Sequence, residues 1–343
     1  MLTVYTLEQS GQWDGIVRSF EKYDTYWLSG YVRAFRIHGD GEPLLFYYEG
    51  DSARGINVVM RRDVARDPHF LQVLPEGQYY DFSTPYGYGG WLIEGGSTSE
   101  LFAAYEDWCC QNGIISEFVR FHPVVKNHEK ANPFYRIVPL GEVVRIDLHS
   151  ETEIWENFSA KNRNVIRKAV KNGVSIHRGR DSEIYETFRG IYNATMEKDN
   201  AAPYYFFEPP FYTSLLEDLP ENAQVFYAQK DGVVIAASIM LTANGMMNYH
   251  LSGSLREYSS LAATNLLLYQ AALWGLENGC RSLYLGGGVG SGEDGLFKFK
   301  RAFFRGPLER FHIGKRVFDR DRYEELLRIR GIESASFFPE YRG

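Results

Sequence analysis

The chain has 343 residues, which is too many for one domain of ordinary size and fits two. Hydrophobic residues make up 44% and charged residues 24%, values typical of a folded globular protein and not of a disordered or fibrous one. A formal net charge of −7 argues against broad, non-specific binding of nucleic acid, although a local basic patch stays possible. Aromatic residues reach 15%, so Tyr-lined clefts for an extended polar ligand are plausible.

The three cysteines, Cys109, Cys110 and Cys280, have the spacing of neither a disulfide framework nor a zinc site. The histidines are also scattered, and we expect no metal. The N-terminus lacks the basic and apolar regions of a signal peptide, and no stretch approaches 18 apolar residues. We therefore expect a cytoplasmic protein without an integral membrane segment, for which association with the inner membrane face stays open.

The first half of the chain mixes short helices and strands, and we expect an α+β domain over residues 1–147. Two β-rich runs, PLLFYYEG and GINVVMRR, are joined by the turn-rich GDSARG. An aromatic loop over residues 79–91, YYDFSTPYGYGGW, precedes a helix predicted from apolar spacing. The predicted helices are Trp13–Tyr23, Trp27–Ile37 and Ser97–Asn112.

The second half is predicted as a domain over residues 148–330, with a C-terminal tail over 331–343. Three consecutive strand-like runs are separated by Asp231-Gly232 and Asn244-Gly245, which are strong hairpin signals, so we expect a three-stranded meander. A further strand, RSLYLGG, follows the helix after the meander. The predicted helices are Glu151–Phe158, Ser159–Lys171, Ser182–Asp199, Pro210–Leu219, Ala262–Glu277 and Leu296–Phe303.

Four features of the sequence are candidates for chemistry. Lys300 follows Phe299 among other phenylalanines, and it is either a cation held beside an aromatic cluster or a solvated lysine next to the core. Lys161 and Arg163 begin a basic helix that is either a solvated face or an anion site at a helix start. Asp81 lies in the aromatic loop with Tyr86 and Tyr88, where it can orient or deprotonate an amine or simply cap its own turn.

The fourth feature is the glycine-rich run YLGGGVGSGEDG, which invites a phosphate-binding interpretation. No Lys-Ser or Lys-Thr follows the glycines, and the run does not open a βαβ unit, so neither nucleotide-binding motif is present. The G-x-S-x-G pattern of serine hydrolases is absent as well.

The segments SAKNRNVIRKAVKNGVSI, MNYHLSGS, NLLLYQAALWGLENGCRSLYLGG and GLFKFKRAFF together resemble the C-terminal domain of the FemABX family. This family is built from two tandem GNAT-like domains, each a mixed, mostly antiparallel sheet flanked by helices. The resemblance covers most of residues 150–315, and PYGYGG resembles an aromatic-glycine loop of the family's first domain. It therefore implies two tandem GNAT-like domains here, the first of them degenerate.

The resemblance also implies roles for individual residues. Lys300 and Phe299 fall at the family's Phe-Lys pair and are expected to be catalytic. Asp81 is added on chemical grounds and not from the resemblance, because a carboxylate can orient the amine or relay its proton. The expected substrate-binding residues are Arg163, Lys161, Tyr249, Tyr86, Tyr88, Tyr192, Lys198 and Arg33. Arg33 is included as a substitute, because the stretch YDTYWLSGYVRAF lacks the Trp and the Lys that family members carry there. The second departure is Lys198-Asp199, which stands where the family commonly has an arginine. Both departures put binding of a UDP-linked precursor in doubt.

The implied function is transfer of an amino acid from aminoacyl-tRNA to an amine of a peptidoglycan precursor, with tRNA as co-substrate and no bound cofactor. A rival is N-acyl transfer from acetyl-CoA or another acyl-CoA. The segment SLREYSSLAATN has Arg256 but lacks the glycine pair of a CoA pyrophosphate loop. A third possibility is a non-catalytic binding module. We expect no DNA partner, and we expect the acceptor site where PYGYGGW meets the region of Tyr249 and Lys300.

Overall fold

The computed structural model describes residues 1–332 and 337–343. It divides the chain into two compact units, one formed by Met1–Leu140 with Phe311–Gly343 and the other by Gly141–Arg310. The first unit therefore contains both ends of the chain. This division differs from the predicted boundaries, which assigned residues 311–330 to the second domain and 331–343 to a tail.

The first unit is a mixed sheet with helices. Its strands run in the order β1, β2, β3, β4, β6, β13, and β5 pairs with β3 as well. Neighbouring strands are antiparallel except for β4 and β6, which are parallel. The elements are β1 (Leu2–Tyr5), α1 (Ser10–Arg18), α2 (Ser29–His38), β2 (Glu42–Glu49), β3 (Ala53–Asp63), β4 (Tyr80–Ser83), β5 (Leu92–Gly95), α3 (Ser99–Gln111), β6 (Ile114–Arg120), α4 (His128–Ala131) and β7 (Arg136–Asp147), the last of which runs on into the second unit.

The second unit is a six-stranded sheet in the order β7, β12, β11, β10, β9, β8. All pairs are antiparallel except β11 and β12. Its further elements are α5 (Glu151–Asn157), α6 (Ala160–Lys171), β8 (Ser175–Gly179), α7 (Ser182–Lys198), α8 (Pro209–Asp218), β9 (Ala223–Lys230), β10 (Val233–Ala243), β11 (Met246–Ser254), α9 (Ala263–Glu277), β12 (Ser282–Gly286) and α10 (Gly295–Arg301).

The C-terminal part of the chain completes the first unit through β13 (Glu309–Val317) and α11 (Arg320–Arg330). Residues Ile313–Val317 of β13 pair with Arg120–Ser116 of β6. Tyr323, Phe338 and Tyr341 are buried in one apolar cluster with residues of the N-terminal part. This burial of apolar surface explains why the last residues belong to the first unit and do not form a separate tail.

The meander of the second unit is formed by β9, β10 and β11, joined by the predicted turns. Asp231 and Gly232 both have positive φ, as do Asn244 and Gly245, which is the backbone geometry that two-residue hairpin turns require. Helix α9 packs against this sheet and is apolar around most of its circumference, with the consecutive residues Leu266, Leu267 and Leu268 all buried. Such a helix lies in a core, which explains its lack of a polar side. The predicted α+β class is thus observed.

None of the helices within residues 1–332 and 337–343 combines the length and apolarity needed to cross a membrane. In the same residues, no three His, Cys, Asp or Glu side chains are grouped so that they can hold a metal ion.

Candidate functional site

The glycine-rich loop of the second unit connects β12 to α10 and is fixed by Asp294. One carboxylate oxygen of Asp294 accepts a hydrogen bond from the Phe297 backbone N–H over 2.8 Å and caps α10. The other accepts from the Val289 backbone N–H over 3.0 Å, on the opposite side of the loop. A single side chain therefore ties the loop to the start of the helix that carries Lys300.

The glycines of this loop allow its backbone to fold tightly. A Cβ added at Gly288 would lie 2.5 Å from Asp294 Oδ1 and closer still to the Gly292 carbonyl oxygen, and one added at Gly141 of β7 would overlap the Ser291 carbonyl. Gly286 has φ +82°, a backbone conformation that favours glycine. The glycine pattern therefore has a steric explanation that requires no bound phosphate.

Lys300 is 9% exposed, and its ammonium group donates a hydrogen bond to the Gly287 carbonyl oxygen over 2.8 Å. Burial lowers the pKa of Lys300 to about 8, although the charge of Asp294 acts in the opposite direction. Phe297 and Phe303 of the same segment are buried in the core. Lys300 is thus a held cation, and of the two interpretations made from the sequence the structure favours this one over a solvated lysine. An ammonium has three N–H donors, so donors remain beyond the one bound to Gly287.

Tyr249 lies where β11 leaves its parallel partner β12. The parallel pairing covers three residue pairs, from Met246–Ser282 to Asn248–Tyr284, and Tyr249 is the next residue of β11. On the neighbouring strand, β12 ends at Gly286, where an added Cβ would lie 3.3 Å from Lys300 Nζ. The fold therefore places Tyr249 where β11 separates from β12, and it places the ammonium group of Lys300 at the carboxyl end of β12.

The surroundings of Tyr249 are rich in hydroxyl groups. Burial raises the pKa of Tyr249, while hydrogen bonds with Ser252 and Ser238 act in the opposite direction. Ser238 Oγ donates to Ser252 Oγ over 2.8 Å across β10 and β11. The register of these strands shifts at this point, because Met240 faces Tyr249 and Ile239 faces Leu251. The extra residue is His250, and burial lowers its pKa to about 3, so its imidazole is neutral at physiological pH.

Asp81 is fully buried in the first unit, where its carboxylate is bound by side chains of the protein itself. Its carboxylate accepts hydrogen bonds from Arg62 Nε over 2.7 Å, from the Tyr341 hydroxyl over 3.0 Å and from Arg342 Nε. Burial opposes ionisation, but the charges of Arg62 and Arg342 outweigh it and hold the pKa of Asp81 below its usual value. A carboxylate bound in this way is a poor proton acceptor, so the geometry favours anchoring of the C-terminal residues over the expected help in catalysis.

Arg163 of α6 also has structural partners. Its guanidinium donates to the backbone carbonyls of Trp155, Glu156 and Phe158, at the end of α5. A cation at this position interacts favourably with the negative, carboxyl-terminal end of the helix dipole. Lys161, two residues earlier, is exposed. Anion binding by these two residues stays a prediction.

The other predicted binding residues of the second unit lie on α7. Tyr192 is 3% exposed and its ring stacks on Phe188 and Phe207, which makes it part of the core. Lys198 forms an exposed ion pair of 3.2 Å with Asp199. Ligand binding by Tyr192 and Lys198 stays a prediction.

In the first unit, the loop with Tyr86 and Tyr88 is built into an aromatic cluster. The Tyr86 carbonyl accepts from the Tyr31 hydroxyl, and the Tyr86 ring stacks on Phe35 at 5.6 Å. Tyr88 is 9% exposed and its ring lies 5.4 Å from that of His122. Arg33, on α2 between Tyr31 and Phe35, is half-buried. Ligand binding by these residues stays a prediction.

The sequence did not reveal three polar groups near this loop, of which Asp24 and His122 are fully buried and Arg120 is half-buried. Arg120 Nε donates to the Gly87 carbonyl over 2.8 Å. His122 accepts from the Val125 backbone N–H at Nδ1, so its Nε2 carries the proton and donates to Asp24 over 3.0 Å. No sequence motif predicts these contacts, because Arg120 and Gly87 lie 33 residues apart in the chain and His122 and Asp24 lie 98 residues apart.

A fourth unforeseen group is Glu117, which is fully buried in the first unit. It accepts hydrogen bonds from Asn57 over 2.9 Å, Tyr105 over 3.0 Å and Tyr135 over 2.7 Å. Burial raises the pKa of Glu117 to about 7, against the effect of these hydrogen bonds. The carboxyl group is thus poised to titrate in the neutral range.

Comparison with known proteins places this geometry in a family context. The family model described as acetyltransferase (GNAT) domain matches residues 157–301. The crystal structure of FemX is similar with a TM-score of 0.69 and 13% identity, covering 95% of this chain and 99% of that one. No match was found among curated proteins.

Two further solved structures are similar over nearly the whole chain. L-PGS from Bacillus licheniformis has a TM-score of 0.57 and 15% identity, covering 95% of this chain and 97% of that one. The C-terminal domain (DUF2156) of a putative lysylphosphatidylglycerol synthetase from Agrobacterium fabrum has a TM-score of 0.56 and 15% identity, covering 90% and 91%. At these identities the likeness shows a shared fold.

Residues 157–301 therefore match a GNAT domain, and the chain as a whole shares the fold of the FemX structure. The predicted tandem GNAT-like fold is confirmed, and the likeness to FemX over nearly the whole chain agrees with the family resemblance seen in the sequence.

Proposed function

We propose that this protein is an aminoacyltransferase that moves an amino acid from aminoacyl-tRNA to an amine of a peptidoglycan precursor. The observation that carries the proposal is Lys300, a buried cation held by the Gly287 carbonyl at the carboxyl end of β12. The FemX-like fold of the whole chain supports the same reaction class. Charged tRNA is a cytoplasmic molecule, which fits the expected location.

The reaction is aminolysis of an ester. The neutral acceptor amine attacks the ester carbonyl carbon, a C–N bond forms, and the carbonyl oxygen becomes an oxyanion. The C–O bond to the ribose then breaks, the amine loses one proton, and the ribose oxygen gains one. The products are an amide and a free tRNA hydroxyl, so no oxidant or further co-reactant is required.

Lys300 would stabilise the oxyanion of this reaction. With a pKa of about 8, the side chain of Lys300 is positively charged in most protein molecules at pH 7. Because the group is already buried and held, it needs little rearrangement when negative charge develops, and a donor of this kind contributes about 3 kcal/mol. Phe299, the preceding residue, is partly buried against Phe303 at 5.4 Å and helps to exclude water.

Tyr249 would position the acceptor or the ester. Its pKa is raised, so the hydroxyl is neutral and can donate or accept a hydrogen bond. Its position in β11, one residue beyond the parallel pairing with β12, supports a role beside Lys300. Alignment of two bound substrates supplies much of the rate in such a transfer, and no side chain need act as a strong base.

A second candidate function is N-acyl transfer from an acyl-CoA, which the description of the matched domain as an acetyltransferase favours. The start of α9 follows a short 3₁₀ helix, Arg256–Leu261, that contains Ser259 and Ser260. Backbone N–H groups at a helix start can bind a phosphate. The loop has no glycine pair, which favours the tRNA-dependent reaction.

Mass spectrometry separates these functions. A muramyl-pentapeptide precursor is incubated with the protein and either charged tRNAs or acetyl-CoA, and phosphatidylglycerol is tested as a second acceptor because two similar structures carry names of lipid-modifying enzymes. A mass increase of one amino acid on the precursor is expected. A mass increase of one acetyl group would assign the CoA-dependent reaction. If no combination of donor and acceptor gives a product, and Lys300→Ala has the same cellular effect as wild type, the protein is a binding module.

A further inference from the structure

The exposed face of α6 is basic along its length. Residues 159–180 contain seven Lys or Arg residues and no Asp or Glu, although the chain as a whole has a net charge of −7. On α6 itself, Asn162, Ile166 and Ala169 are buried. The exposed cations, which we name the α6 stripe, are Lys161, Arg167, Lys168 and Lys171.

Aromatic rings lie beside the α6 stripe. The Arg167 guanidinium lies 5.0 Å from the centroid of the Trp155 ring, and this ring lies 5.0 Å from that of Tyr269. Both rings are only partly buried. Planar guanidinium and aromatic groups of this kind stack on the bases of single-stranded RNA, while lysines contact its phosphates.

The α6 stripe is connected to the helix that carries Lys300. The Ser159 backbone N–H, at the start of α6, donates to the Ala302 carbonyl over 2.9 Å. Phe158 and Phe303 also pack with their ring centroids 5.2 Å apart. One end of a polyanion bound along the stripe would therefore lie near α10, the helix that carries Lys300.

We propose that the α6 stripe, with Trp155 and Tyr269, binds the acceptor end of tRNA, an inference that rests on the proposed function. An anionic membrane fits less well, because a membrane-binding helix inserts an apolar face. The apolar face of α6 is buried in the protein. Among the large hydrophobic residues of α6, all of which the structure describes, Val170 alone is exposed, at 58%. Helix α5 contributes the acidic residues Glu151, Glu153 and Glu156, and Glu151 borders the stripe directly, because its carboxylate accepts a hydrogen bond from the Tyr269 hydroxyl over 3.1 Å.

The test measures binding of fluorescently labelled, uncharged tRNA to the full chain. The variant K168E/K171E reverses two stripe charges, and R320E/R328E on α11 is the control with the same change in net charge at exposed positions. At least a tenfold loss of affinity and a smaller salt dependence are expected for the first variant, with wild-type binding for the control. Thermal melts check that both variants are folded.

A second variant, W155L, keeps an apolar side chain but removes the stacking surface. It is expected to lose most of the preference for intact tRNA over tRNA that lacks its single-stranded 3′ end. Equal tRNA affinity of K168E/K171E and its control would overturn the inference. Binding to vesicles of anionic lipid that only K168E/K171E loses, with tRNA binding unchanged, would overturn it in favour of a membrane surface.

The outcomes separate this inference from the proposed function. If aminoacyl transfer proceeds and K168E/K171E leaves the KM for charged tRNA unchanged, the inference alone fails. If no acceptor is modified but tRNA binding depends on the α6 stripe, the proposed transfer fails and the inference stands.

Discussion

The ammonium group of Lys300 and the carbonyl oxygen of Gly287 are joined by a hydrogen bond of 2.8 Å inside a largely buried segment. The carbonyl belongs to a loop that glycine residues and Asp294 hold in place. A cation is thus kept where solvent does not stabilise it well, an arrangement that costs folding energy and is typical of functional sites.

The burial of Lys300 should make stability depend on pH. Its pKa is about 8 in the folded protein and about 10.4 in an unfolded chain, so the unfolded state binds more protons between these values. Wild-type stability should therefore rise relative to Lys300→Met by about 3 kcal/mol between pH 7 and pH 10.5. Urea unfolding of both proteins across this range measures the difference, and a constant difference would contradict the lowered pKa.

The shape of the glycine-rich loop should control activity without direct contact between the altered residue and substrate. Gly288→Ala places a Cβ against the Gly292 carbonyl and Asp294, so the loop must move and the Lys300 partner with it. We expect at least a tenfold loss of kcat/KM at about 1–3 kcal/mol of destabilisation. Gly295→Ala is the matched control, because its Cβ meets nothing within 4 Å, and it should retain wild-type activity.

Asp81 should act on stability and not on the chemical step. Asp81→Asn leaves Arg62 without its charge partner and Arg342 with Asp67 alone, and we expect a loss of about 3 kcal/mol at pH 7. Because the folded pKa lies below the unfolded value, this contribution is present above about pH 4 and is lost as pH falls through the folded pKa.

Arg342→Leu breaks the same contact from the other side and should cost a comparable amount. Turnover per folded molecule should stay near wild type in both variants. A large fall in kcat for Asp81→Asn, with Arg342→Leu fully active, would instead restore the catalytic interpretation of Asp81.

Glu117 should show the opposite pH dependence. Its folded pKa of about 7 lies above the unfolded value of about 4.3, so the stability it contributes is present below pH 4 and is lost as pH rises to 7. Glu117→Gln removes this titration, and the variant should gain about 3 kcal/mol relative to wild type between pH 4 and pH 8. Chemical denaturation at the two pH values measures the change; a pH-independent difference would show that Glu117 titrates normally.

Local patterns in the sequence predicted much of the fold. The Asp-Gly and Asn-Gly turns predicted the meander, and the apolar run Leu266–Leu268 predicted a buried helix that begins one residue from its expected start. These features depend on neighbouring residues only, so one chain suffices to recognise them.

Long-range pairing was not predictable in the same way. Arg342 meets Asp81 across 261 positions, and Arg163 meets the carbonyls of α5, so two residues expected to serve chemistry have structural partners. A charged side chain looks the same in the sequence whether it faces a substrate or another part of the protein. Lys300 differed because the surrounding phenylalanines indicated that its environment is apolar.

The most direct test of the proposed transfer is a single-turnover rate with charged tRNA and the muramyl-pentapeptide precursor for Lys300→Ala and Lys298→Ala. Lys298 is exposed on the same helix, so it controls for loss of a nearby charge. Loss of about 3 kcal/mol of oxyanion stabilisation predicts a roughly 100-fold slower rate for Lys300→Ala and a wild-type rate for Lys298→Ala. Equal rates for wild type and Lys300→Ala would contradict the assignment of Lys300 as the cation of the transfer.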